Sequence, residues 1–331
     1  VLARLLAQTT RFAIVNAKTV SRRFRDDREE IENRFFAGSS QGKVSRLETE
    51  LSDPHNGGQV VWLMEFESGK RLGYKPRSLA IDVFYLRFLD WLHEKQTSID
   101  LHAAQVLDRG DYGWVEWLNR RECQSETEVR QFFQRQGANL AVLYHLGGRD
   151  FHEDNFIVQG SYPVPIDLEG LFSGGVMMYT DGPIMRDLPP EFRARNILLT
   201  NMLPRWFQSA SPSEEIFAVS GICGRWPNNR WPIKQPVIHH LGTSNLRIDY
   251  QYLPPKPGSS LPVWEGKEIS ALDYIEEVDA GFTSTYLTIL GHREELFEPQ
   301  GVLQQDTGLT IRTILRDTNE YGYLLFWGTA P

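Results

Sequence analysis

The sequence predicts an α+β fold with a smaller strand-rich lobe followed by a larger helical lobe, and three observations carry that expectation. Apolar runs broken by turn residues fill residues 58–118, apolar residues at helical spacing fill 78–92, 125–146 and 268–296, and a second short hairpin pattern falls at 156–166. With 331 residues, 41% of them hydrophobic, the chain is long enough for two sizeable cores, and disorder is not expected.

Residues 1–37 are expected to be mainly helical, ending in the charged run RRFRDDREEIENR, which reads as a solvated helix face without chemistry. The stretch GQVVWLMEFESGKRLGYKPR predicts a hairpin: Val60 to Phe66, a turn at Ser68-Gly69, then a strand ending at Tyr74-Lys75. Lys75 thus sits at a strand end. Leu79, Val83, Leu86 and Leu89 predict a helix over 78–92, two strands follow near 103–108 and 112–118, and a helix covers about 125–146. Phe156–Val158 and Val164–Ile166 form the second hairpin across a Gly-Ser-Tyr-Pro turn. An irregular insertion is expected near 175–265, and a helix from Glu268 to about Leu296. The boundary between the lobes is placed at about residue 120, giving 1–120 and 121–331.

Composition narrows the function. A formal charge of −8 argues against a broad polyanion-binding surface, so nucleic acid is not an expected partner, although a local basic pocket for phosphates stays open. Cys123 and Cys223 are the two cysteines, far apart and outside any C-x-x-C spacing, which fits a reducing cytoplasm. No stretch approaches membrane-spanning length, and a chain that begins with Val is expected to be a piece of something longer. The nine Trp residues read as core and interface material, with Trp114 and Trp117, near an expected cleft, as exceptions.

The strongest chemical signal is Asp150-x4-Asn155 followed twelve residues later by Asp167, with a hairpin between them and a strand lysine, Lys75, far upstream. In phosphoryl-transfer enzymes a loop Asp orients the attacking hydroxyl, an Asn five residues on and a second Asp hold Mg²⁺, and a strand Lys neutralises phosphate charge. Those types suit the task because Mg²⁺ takes hard oxygen donors and Lys is a compact cation. The expected architecture is therefore kinase-like, with ATP between two lobes.

The motifs SDPHNGG (52–58), YKPRSL (74–79), DYGWVEW (111–117), DFHEDN (150–155), PIDLEGLF (165–172) and IRTILRDTNEY (311–321) together resemble the dehydratase domain of class II (LanM-type) lanthipeptide synthetases, from about residue 50 to 325. The resemblance implies a peptide Ser/Thr kinase and phosphate lyase using ATP and Mg²⁺. Asp150 would position the hydroxyl, Asn155 and Asp167 would hold the metal, His152 and Glu169 would complete the surroundings, and Lys75 would meet the phosphates. Asp53 and His55 fall in the family's D-x-H motif, beside an Asn56-Gly57-Gly58 turn that offers backbone N–H groups. Arg312 and Thr318 match the pair associated with phosphate elimination, with Tyr321 as neighbour; Arg316 could share the phosphate. Gly170 after D-L-E departs from the pattern.

The partner so implied is a ribosomally made precursor peptide, a leader plus a Ser/Thr-containing core, and a cyclase domain is expected elsewhere in a full-length protein. Two other readings stay open. One is a kinase-like phosphotransferase without elimination; the other is an inactive peptide-binding module on the same fold.

Overall fold

The computed structural model describes residues 2–49, 51–52, 54–95, 98–173, 196–207, 217–224, 235–251, 253, 260–305, 308–311 and 324. It is a mixed helix-and-sheet chain, as expected, and falls into two compact units: one of residues up to Asp90 with Ala103–Leu118 and the described residues from Phe297, the other of Trp91–His102 with Asn119–Leu296.

In the first unit, α1 (Leu2–Phe36) precedes a five-stranded antiparallel sheet in the order β1-β2-β3-β5-β4. Its strands are β1 (Val44–Glu48), β2 (Trp62–Phe66), β3 (Arg71–Lys75), β4 (Val106–Asp108) and β5 (Gly113–Glu116). Side chains alternate across a strand, so the sheet has two different faces. Met64, Phe66, Leu72, Tyr74 and Trp114 bury against Val20, Phe24 and Ile31 of α1. On the other face Val106 and Val115 pack with Leu79, Val83 and Leu86, at the start of α2 (Ala80–Lys95). Gly113 belongs here because a Cβ would lie 2.4 Å from Leu79 Cδ1.

One residue of the charged run in α1 corrects the reading of that run as a solvated face. Asp27 is only 6% exposed. Its carboxylate accepts from Trp114 Nε1 and the Tyr112 hydroxyl, each at 2.8 Å, and from Arg109 Nε at 2.9 Å. Three donors compensate the desolvation of a buried carboxylate. Burial, reinforced by the Asp27 charge, pushes the Tyr112 phenol up to about 12. Trp114, fully buried, is therefore core and not a cleft exception.

The second unit centres on α3 (Glu126–His145), N-capped by Ser125, whose side chain accepts from the Glu128 amide. It lies against α4 (Ile275–Gly291) at two glycines: a Cβ on Gly137 would sit 1.9 Å from Val278 O, and one on Gly281 1.8 Å from Gln134 O. Helix α4 starts later than Glu268, because Lys267–Glu268 pairs as β13 with Val263–Trp264, β12, and a 3₁₀ turn capped by Ser270 intervenes. A short helix, α5 (Arg293–Phe297), follows.

Beside α3 stands the hairpin of β6 (Phe156–Gln159) and β7 (Tyr162–Pro165), with a tighter turn, Gly160-Ser161, than the four residues expected. That turn is fastened on all sides. Cys123 Sγ and Arg135 donate to the carbonyls of Gly160 and Ser161 at 3.3 and 3.0 Å, while the backbones of Arg121, Val158 and Gly160 exchange hydrogen bonds. Arg135 also pairs with Asp100 at 2.6 Å and stacks on Tyr162, whose hydroxyl donates to Asp100 at 2.7 Å. Burial would raise the Asp100 carboxyl, but the Tyr162 and Arg135 hydrogen bonds outweigh it and bring it down to about 2.

Within the region expected to be an irregular insertion, described segments form the hairpins β8 (Arg205–Phe207) with β9 (Phe217–Val219) and β10 (Gln235–His239) with β11 (Arg247–Gln251). Cys123 and Cys223 are unbridged. No helix among the described residues is long and apolar enough to cross a membrane.

Candidate functional site

Residues 147–155 leave the end of α3 and are fastened by backbone bonds before they reach Asn155. Gly148 N–H donates to Leu143 O at 2.7 Å, Arg149 N–H to Gly170 O at 3.0 Å and Phe151 N–H to Thr200 O at 2.9 Å, and the Phe151 ring is fully buried. Between two of these clamps Asp150 adopts φ 67°, the left-handed region, at a cost on the order of 1 kcal/mol. Strain of this kind persists where surrounding contacts over-determine it. Here they raise the Asp150 carboxylate out of the protein: its side chain is 57% exposed.

Asn155 is tied back to that residue. Its Nδ2 donates to Asp150 O at 2.7 Å, which commits the amide nitrogen and leaves Oδ1 as the atom a cation would take. His152 accepts from the Asp154 amide through Nδ1 at 3.3 Å, and its Nε2 stands 3.8 Å from Asp150 Oδ1, beyond hydrogen-bonding range.

From Asn155 the chain enters β6, returns on β7, and closes the ladder where Ile166 N–H donates to Asn155 O at 3.1 Å. Asp167 follows immediately. It opens a 3₁₀ turn over Leu168–Gly170 without capping it by its side chain, and Glu169 lies within that turn. The turn is brought against the loop by Gly170: a Cβ there would lie 2.1 Å from Arg149 O. That close approach is a physical reason for glycine at this position. Gly221 does the same on another side, where a Cβ would come within 2.4 Å of Phe151 O.

The structure therefore gathers Asp150, His152, Asn155, Asp167 and Glu169 at one end of the β6–β7 hairpin. The amide oxygen of Asn155 and the carboxylate of Asp167 are hard oxygen donors of the type Mg²⁺ takes. Among the described residues, His152, Glu153 and Asp154 also bring ligand atoms within 4.8 Å of one another, but one is an imidazole and Glu153 is 2% exposed. Lys75 ends β3 in the first unit, paired in register with Gly113. His55 is exposed and bridges to Gln59. Asp53, Arg312, Thr318 and Tyr321 lie outside the described residues.

Thr200 and Gly221 were not legible as site residues. They act through a carbonyl and a missing side chain on a loop many positions away, and neither leaves a local pattern.

Fold and site together define an α+β protein with an Asp/Asn/Asp set mounted on a short hairpin. Residues 1–331, the whole chain, match the family described as "Domain of unknown function (DUF4135)", and the chain belongs to that family. It is also similar to the lacticin 481/lactococcin biosynthesis protein LcnDR2 of Lactococcus lactis subsp. lactis, 26% identical over 296 residues, which cover 84% of this chain and 30% of that protein. The resemblance to class II lanthipeptide synthetases is thereby borne out. The chain spans less than a third of this curated relative's length.

Proposed function

We propose that this chain is the catalytic core of a lanthipeptide dehydratase with a kinase-like, two-lobed arrangement. The observation that carries the reading is the Asp150, Asn155 and Asp167 set, fixed at one end of a hairpin, in a chain that is similar to a lacticin 481/lactococcin biosynthesis protein.

In the first step a Ser or Thr hydroxyl of the precursor peptide attacks the γ-phosphorus of ATP, and ADP leaves. Asp150 orients that hydroxyl and accepts its proton. Asn155 Oδ1 and Asp167 would hold Mg²⁺, which when bound neutralises phosphate charge. Lys75, with Asp53 and His55, serves the phosphates, and His152 and Glu169 shape the surroundings. In the second step a base removes the α-proton, the Cβ–O bond breaks, and phosphate departs, giving dehydroalanine or dehydrobutyrine. Arg312 would stabilise the leaving phosphate by paired hydrogen bonds, with Thr318 and Tyr321 beside it.

The test is mass spectrometry of a precursor peptide after incubation with the complete protein, ATP and Mg²⁺. One water lost per reacted residue is expected. Asp150→Ala should abolish phosphorylation, whereas Arg312→Ala should let phosphopeptide accumulate. Phosphate addition without water loss would reduce the protein to a phosphotransferase, and equal loss in both variants would refute separate roles.

A further inference from the structure

Asn56, Gly57 and Gly58 are three successive residues with positive φ, at 38°, 81° and 76°. The tip they form is closed by reciprocal backbone hydrogen bonds between His55 and Gln59 at 2.8 and 2.7 Å. Among the described residues, none accepts from the N–H groups of Asn56, Gly57 or Gly58. Successive N–H groups in such a turn make a concavity suited to an anion.

The carbonyls of the same turn are taken by α1. Asn16 Nδ2 donates to Gly57 O at 3.2 Å and to Gly58 O at 2.9 Å. One helical turn earlier Phe12 backs both glycines: Cβ atoms built on Gly57 and Gly58 would lie 3.6 Å from its Cε1 and 3.2 Å from its Cβ. Further along the same helix, Asp27 is bolted to the sheet through Trp114, Tyr112 and Arg109. A glycine peptide plane rotates easily, and a flip would replace an N–H with a carbonyl oxygen facing the anion. Holding the carbonyls toward α1 prevents that flip.

We infer that Asn16 and Phe12 are positioning residues, and that α1 is the arm that keeps the turn at residues 56–58 set as a cradle for the polyphosphate of a nucleoside triphosphate. The identity of the ligand rests on the dehydratase reading; the grip of α1 on the turn does not.

The experiment is calorimetric titration of the complete protein, wild type, Asn16→Ala and Asn16→Asp, with Mg-ATP and separately with adenosine, alongside thermal melts. Losing hydrogen bonds that fix the cradle should weaken Mg-ATP about tenfold in Asn16→Ala while leaving adenosine affinity unchanged and lowering the melting temperature by only about 2–4 °C. Asn16→Asp turns a carboxylate toward the two carbonyls in place of the donor, so it should lose more Mg-ATP affinity than Asn16→Ala while adenosine affinity again stays unchanged. Unchanged Mg-ATP affinity in Asn16→Ala, or an equal loss for adenosine, would overturn the inference while the dehydratase reading stands. A wild-type protein that fails to bind Mg-ATP would overturn both.

Discussion

Replacing Gly137 by alanine sets two effects against each other, and the structure decides between them. Helix propensity alone favours alanine over glycine in a helix interior by about 1 kcal/mol. At Gly137, however, the new Cβ would lie 1.9 Å from Val278 O, where real Cβ atoms keep at least 3.0 Å, so α3 and α4 would have to separate by roughly 1 Å. The neighbour is backbone and cannot turn aside. Overpacking of this kind costs about 1–3 kcal/mol, and the upper end applies here, leaving a net loss of about 2 kcal/mol. For a unit of this size that lowers the melting temperature by roughly 4–8 °C. Gly291, at the end of α4, has nothing within 4 Å of an added Cβ. There the same substitution should be stabilising by about 0.5 kcal/mol. Calorimetric melts of both variants, with hydrogen exchange of the α3 amides, read the difference. Gly137→Ala melting at or above wild type would refute the claim that close backbone packing governs this helix pair.

On the proposed dehydratase reading, Gly170→Ala should push the Asp167 turn away from Arg149 and reduce phosphorylation of the peptide about 10²-fold; radiolabel transfer measures it, and wild-type turnover would sink the positioning role. Asp27→Ala strands the Trp114 and Tyr112 donors, leaves Arg109 with Glu30 as its remaining carboxylate, and should destabilise the first unit by about 2–4 kcal/mol in denaturant titration followed by tryptophan fluorescence. Asp100 has its folded pKa lowered from 3.8 to about 2, so its contribution to stability is full above pH 3.8 and is lost as pH falls through 2. Wild type and Asp100→Asn should therefore differ in melting temperature at pH 6 and converge near pH 2; a constant gap would count against the Arg135 and Tyr162 hydrogen bonds as its source.

The elements with strong periodicity were legible: α1, the β2–β3 hairpin and α3 follow from apolar spacing, and Lys75 does end a strand. β1 was not, because VSRLE offers little apolar alternation, is mostly exposed, and shifts register between Val44 and Arg46. Asp27 was hidden for a different reason. Inside a run of like-looking charged residues, only the position of Trp114 some 87 residues away distinguishes the buried one. The candidate site's grouping was legible where chemistry dictates residue type: Asp150, Asn155 and Asp167, read together from their spacing, do lie at one end of the β6–β7 hairpin. It was illegible where shape or a carbonyl does the work, at Thr200, Gly221 and the Cβ-free contact of Gly170.

The β6–β7 turn has a bearing on how related chains can vary in length. Hairpin tips are ordinarily where insertions accumulate, because they project into solvent. Here Gly160 and Ser161 are buried and their carbonyls are occupied by Cys123 and Arg135. An extra residue would have to displace those donors and would be felt at the far end of a four-rung ladder, between Asn155 and Asp167. Across homologues the separation of those two residues should therefore stay nearly constant, with length differences accumulating elsewhere in the chain.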